Sequence, residues 1–174
     1  MTKVRQVVIP RRPGYRHDGV ECAIRMDGST PAFEFLMKLR SEAWPDGVVQ
    51  LVNPNLAPKR HYYVFISRLR HLAETGLPAD PKAINALLDG LWEVKAVKLR
   101  IPFFDLDEKG NLVKKGKNKD RHLVDPEGNN TYWEYPKFEK KLILTHGFPK
   151  PGGKTPPPEI ELAKLIRDED LQND

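Results

Sequence analysis

Residues 87–104, LLDGLWEVKAVKLRIPFF, decide the fold. Asp89-Gly90 is a turn signal, and the run after it mixes β-branched, aromatic and basic residues as strands do. Lys98, Arg100 and Pro102 alternate with Leu99, Ile101 and Phe103, so the two basic side chains share one face of an extended chain. Proline brings no N–H to a ladder, which predicts a sheet edge or a bulge at Pro102. The stretch reads either as one bent strand or as a tight hairpin.

Upstream the period changes to that of a helix. From about Pro58 to Thr75, Tyr62, Phe65, Ile66, Leu69, Leu72 and Ala73 recur at three- and four-residue spacing, and Gly76 sits where a left-handed cap belongs. Arg60, Ser67, Arg68 and His71 fall on or near the polar side. An earlier helix starts at Ser29 or Thr30, takes Pro31 into its first turn and sets Phe33, Leu36, Met37 and the stem of Arg40 on one face. Trp44-Pro45-Asp46-Gly47 stops it; VVQLV (48–52) is strand or helix extension, and NPNLAP (53–58) a loop. PKAINALL (81–88) reads as a second short helix closed by Asp89-Gly90. GVECAIRM (19–26), between Gly19 and Asp27-Gly28, reads as a short first strand, and residues 1–28 together as a basic N-terminal arm or first strand.

Downstream, residues 105–138 are polar and read as a long hairpin loop or an inserted flap. Positions 109–121 hold six bases and one acid, which suits either a solvated loop or an arm that touches nucleic acid. KKLILTHGF (140–148) is the last strand, KPGGKTPPP (150–158) a turn-rich loop, and EIELAKLIRDED (159–170) a terminal helix with Ile160, Ala163 and Ile166 on one side. Helices precede strands instead of alternating with them. The expectation is therefore an α+β fold, in which a small antiparallel sheet packs with N-terminal helices and a C-terminal helix. Residues 29–174 form a single domain carrying the insert 105–138.

At 174 residues the chain fits one domain and can bury roughly 70% of its unfolded surface without a staple. Its one cysteine, Cys22, excludes an internal disulfide framework and a four-cysteine zinc site, and reads as a small buried residue. No apolar run approaches the ~18 residues that span a bilayer, and the N-terminus lacks a signal-peptide core. A soluble protein of the cytoplasm is expected, with no membrane partner.

Net charge is +5, but the last sixteen residues hold six acids and two bases, leaving +9 on residues 1–158. Such a body suits a phosphate-binding surface; solubility is the plainer alternative. No phosphate-cradling glycine loop, HExxH, GxSxG or Cys-His spacing occurs, and His17, His61, His71, His122 and His146 are scattered. Neither cofactor nor metal is expected. Lysine, arginine and histidine around strands can still cleave RNA, because the substrate's own 2′-OH attacks the adjacent phosphate. The protein then supplies a base, cations for the developing charge and an acid for the leaving oxygen.

Two blocks, LLDGLWEVKAVKLRIPFF and KLILTHGFPKPGGKTPPPEIELAKLIRDE, together resemble the RelE/HigB-type toxins of type II toxin–antitoxin pairs, in particular their phage-derived branch. The resemblance covers 87–104 and 140–168, is weaker over 58–86, and does not extend to 1–28 or 105–138. It implies a RelE-like fold and metal-independent endoribonuclease cleavage of mRNA on the ribosome, neutralised by a cognate helix-turn-helix antitoxin. Arg100 matches the sheet arginine that holds the scissile phosphate; Lys95 stands where these toxins have arginine; His146 falls on the histidine of the strand-end motif. Lys150 and Lys154 match loop lysines, so the implied catalytic set is Arg100, His146, Lys95, Lys150 and Lys154. Lys98, Arg68, Lys114, Lys115, Lys117 and Lys119 are candidates for RNA contact. Three features depart from the pattern: Pro151 directly after Lys150, the insert and the greater length. They favour a second reading, a non-catalytic module that uses the same scaffold to bind nucleic acid or protein.

Overall fold

The computed structural model describes residues 3–46, 48, 56–114, 138 and 140–173, together with the backbone of 122–124 and 131–133. In chain order the elements are β1 (Gln6–Pro10), β2 (Gly19–Cys22), α1 (Pro31–Arg40), α2 (Pro58–Thr75), β3 (Ile84–Ala86), β4 (Leu91–Ala96), β5 (Leu99–Leu106), β6 (His122–Val124), β7 (Thr131–Trp133), β8 (Lys141–Leu144), β9 (Phe148–Pro149) and α3 (Pro157–Gln172). The fold is α+β with a mixed, open, seven-stranded sheet in the order β1-β2-β8-β5-β4-β3, and β9 lies beside β5. β6 and β7 form a separate antiparallel pair.

β4 and β5 are the hairpin alternative for 91–104, with Glu93 opposite Pro102 and Lys95 opposite Arg100. Alternation then sorts the side chains to two faces. Trp92, Val94, Ala96, Leu99, Ile101 and Phe103 join Phe35, Leu36, Leu39, Phe65, Leu69 and Leu72 in a core under α1 and α2. Leu91, Phe104 and Ile143 face the other way, against Ala163 and Ile166 of α3. α2 has the predicted bounds, and Gly76 closes it in the left-handed region at φ 75°.

Several expectations are corrected. The sheet is not wholly antiparallel: β2 runs parallel to β8, pairing Val20 with Leu142 and Cys22 with Leu144. Residues 81–88 are not a helix. Pro81–Ala83 form one 3-10 turn, and Ile84–Ala86 pair antiparallel with β4, so the Asp89-Gly90 signal closes a hairpin instead of a helix. In α1 the buried face is Ala32, Phe35, Leu36 and Leu39; Phe33 and Met37 are half-buried and Arg40 is exposed. Two strands, not one, precede the helices, because Gln6–Pro10 pairs with Gly19–Cys22 as an edge hairpin.

Pro102 lies in a central strand rather than at an edge. Its carbonyl accepts from Thr145 N at 2.9 Å, so its missing N–H faces the break between β8 and β9, where no ladder bond is required. Residues 105 and 106 belong to β5, not to the insert, and Asp105 is buried 3.6 Å from the buried His17. Cys22 is buried in the core, where desolvation pushes its thiol pKa up, the setting of an inert side chain. Among the described residues no helix is long and apolar enough to cross a membrane.

Candidate functional site

Antiparallel partners share a face, so the register of three strands assembles a polar patch without any loop. Asn85 stands opposite Glu93 and Lys95 opposite Arg100, on the face that α3 covers further along at Leu91. The loop that leads into α3 then crosses this patch and delivers Lys150 and Thr155.

Glu93, fully buried, is its centre. Its carboxylate accepts from Thr155 Oγ1 at 2.8 Å and Asn85 Nδ2 at 3.1 Å, and lies 3.5 Å from Lys150 Nζ and 3.7 Å from Arg100 Nε. Lys150 also donates to Thr155 Oγ1 at 3.3 Å and is only 6% exposed, an interior lysine held by an interior acid. Arg100 donates through one terminal nitrogen to the carbonyls of Val97 and Leu99, both at 2.8 Å, which fixes its guanidinium over the β4–β5 turn. Val97 sits there at φ 54°, a strained conformation for a β-branched residue. Arg68 reaches from α2 and donates to the Lys95 carbonyl.

Lys95, Arg100 and Lys150 thus gather about one carboxylate, with Arg68 close by on the backbone of Lys95. Burial, with Arg100 and Lys150 nearby, holds the Lys95 pKa below its ordinary value, against the pull of Glu93. Burial also draws Arg100 down, though a guanidinium keeps its charge at neutral pH. Such a shelf can accept a phosphodiester, and a depressed lysine within it can exchange a proton.

Of the sequence-derived candidates, Lys95, Arg100, Lys150 and Arg68 come together. Lys98 is exposed in the β4–β5 turn, and its carbonyl accepts from Lys150 N at 2.7 Å. Lys154 is exposed and lines a cavity with Lys150 and Thr155. His146 has other partners. Its Nε2 is 2.7 Å from Glu159 in the first turn of α3, its Nδ1 is 3.2 Å from Thr145 Oγ1, and its ring stacks on Phe148. Burial holds the imidazole pKa below its ordinary value, against Glu159. Lys114 lies against the Asp89-Gly90 turn, at the opposite end of β4 from Lys95. Lys115, Lys117 and Lys119 fall outside the described residues.

Glu93 is not among the sequence-derived candidates, and neither are Asn85, Thr155 and Glu159. Asn85 carried no signal because its segment read as helix, and Thr155 none because only the loop's path brings it to Glu93. Among the described residues no three His, Cys, Asp or Glu side chains gather to hold a metal ion. No protein-family model matches the chain, and no curated protein matches it.

Proposed function

We propose that the chain is an RNA-binding endoribonuclease with the RelE-like arrangement, the toxin of a toxin–antitoxin pair acting on mRNA. The observation that carries this reading is the convergence of Lys95, Arg100 and Lys150 around Glu93, at the positions where the resemblance expects them. Arg100 and Lys150 hold the non-bridging oxygens and the charge that develops on them. Lys95 in its neutral form takes the 2′-OH proton. The 2′ oxygen bonds to phosphorus, the bond to the 5′ oxygen breaks, and that oxygen leaves with a proton from Lys154. Glu93 positions Lys150 and Thr155 and takes no part in the proton transfers. The ribosome as platform, a helix-turn-helix antitoxin as partner and a cytoplasmic setting belong to the same proposal.

A second reading is favoured by His146, which is committed to Glu159 and Phe148, and by Arg100, which already holds its own turn. In that reading the shelf binds RNA without cutting it.

Induced expression followed by mapping of mRNA 5′ ends separates the two. Wild type creates new ends; Lys95→Ala and Arg100→Ala create none. Since Arg100 also braces the β4–β5 turn, each variant is checked by circular dichroism, and Lys95→Ala alone decides between the readings if Arg100→Ala unfolds. No new ends from folded wild type that still binds RNA would establish the binding module. New ends from both folded variants would remove the shelf from the chemistry.

A further inference from the structure

Away from the shelf, a groove of about 420 Å³ runs between the end of α1 and the outer side of α2. Arg40, Tyr62, Tyr63, Ile66, Ser67 and Arg70 line it, with no carboxylate among them. Tyr63, Ser67 and Arg70 recur at helical spacing, so α2 presents them as one exposed stripe, and the buried Ile66 lies beneath.

The groove is built from rings and guanidinium groups. Tyr63 is 58% exposed, an aromatic side chain left largely in water. Tyr62 meets it edge to face with ring centroids 5.4 Å apart, and the Arg40 guanidinium lies over the Tyr62 ring at 5.9 Å. That stacking occupies the face of the guanidinium and leaves its N–H edge for an anion. Arg40 and Arg70 are both exposed, and among the described residues neither guanidinium makes an ion pair or a hydrogen bond.

Unspent guanidinium edges beside an open ring are the complement of an unpaired strand: phosphates for the arginines, a base for the tyrosine. An acidic peptide would meet the arginines and leave the ring in water. We infer that this groove is a stacking site for single-stranded RNA, in which Tyr63 takes the face of a base and Arg40 and Arg70 take the phosphates beside it. Every base has such a face, so the site holds the strand without choosing its sequence. α2 serves both places, since Arg68 leaves its other flank to reach Lys95 on the shelf, and a helix is only about 10–12 Å across. The inference rests on the RNA reading above and gives the strand a second hold.

Fluorescence anisotropy of the full chain with a labelled 2′-O-methyl oligoadenylate, which has no attacking hydroxyl, tests it. Tyr63→Ala should weaken binding about fivefold or more, the loss of one stacked base, while Tyr63→Phe stays within about twofold of wild type. Arg70→Ala should lower the salt slope of the affinity by about one. A sugar–phosphate strand of equal length without bases should bind wild type and Tyr63→Ala alike.

Unchanged affinity in a folded Tyr63→Ala, a baseless strand bound by wild type as tightly as oligoadenylate, polyglutamate displacing the strand as well as RNA does, or no binding at all would each overturn the inference. Tyr63-dependent binding without new mRNA ends in cells would sink the endoribonuclease reading alone. New ends, with Tyr63→Ala binding as wild type does, would sink only the stacking site.

Discussion

Glu93 is an acid whose neighbours explain it. A carboxylate taken fully out of water is tolerated only with charge and hydrogen bonds around it, and here two cations, a hydroxyl and an amide supply them. Glu93→Ala leaves Lys150 in the interior without its carboxylate, and should cost about 3–5 kcal/mol. Thermal denaturation should show a fall of about 2–4 °C per kcal/mol for a chain of this size. Glu93→Gln, which can still meet Thr155, should cost less. A melting curve indistinguishable from wild type would mean that Lys150 escapes to solvent.

His61 gives the residue scale a second test. It is buried in α2 with its ring 5.2 Å from that of Trp44, and desolvation holds its pKa below the ordinary 6.5, against a weaker pull from the backbone of Ala96. A base with a depressed folded pKa favours the unfolded state once that state begins to protonate. Stability from His61 is therefore present above pH 6.5 and is lost as pH falls towards the lower folded value, with His146 adding in the same direction. The Tm should drop between about pH 7.5 and 5.5, and His61→Phe should flatten that drop. An equally steep decline in the variant would assign the acid sensitivity elsewhere.

Among the elements, α1 is set on the sheet by an absent atom. Gly147, between β8 and β9, lies so close to the Phe35 ring that a Cβ there would overlap the ring carbons. Gly147→Ala should cost about 1–3 kcal/mol as α1 is pushed outward. In a Phe35→Ala background the same change should cost almost nothing, and a double-mutant cycle with no coupling would show that α1 docks independently of this contact.

Elements were legible in proportion to how much of their stability is local. α2 carries its own amphipathic period and its own Gly76 stop, and both ends were readable. The 81–88 segment has equally helical spacing, but pairing of Ile84–Ala86 with β4 outweighs a propensity worth tenths of a kcal/mol per residue. For Pro102 the edge alternative fails and the irregularity holds: the three-residue step from Arg100 to Phe103 in β5 faces a four-residue step from Leu144 to Phe148 between β8 and β9, a register slip that the sequence around Pro102 does not contain. At the candidate site, alternation alone put Lys98 on the face of Arg100, whereas the β4–β5 turn takes up Lys98 and the hairpin register brings Lys95 opposite Arg100 instead. Asn85 and Thr155 reach Glu93 through a third strand and a distant loop, which no spacing reveals.

At the scale of the whole molecule the two ends of the chain are joined. Arg5 grips Asp170 of α3 with Nε and one terminal nitrogen, the shorter contact 2.8 Å, while Asp170 also accepts from Ile24 N at 2.8 Å. Asp170 is 2% exposed. Asp170→Ala should cost about 3–5 kcal/mol, and hydrogen exchange should speed up in β1 and in the last turns of α3 together. Protection lost from α3 alone would show that β1 holds its place without the clasp.

The parallel pairing of β2 with β8 also sets an order in time. A strand near residue 20 finds its neighbour only at residues 142–144, and Lys150 and Thr155 come later still. A nascent chain on its ribosome can form α2 and the β4–β5 hairpin early. Its sheet stays divided, and Glu93 lacks two of its partners, until the last quarter of the chain has emerged. Synthesis interrupted before that point yields a chain with both strands of the hairpin and a Glu93 that has met neither Lys150 nor Thr155.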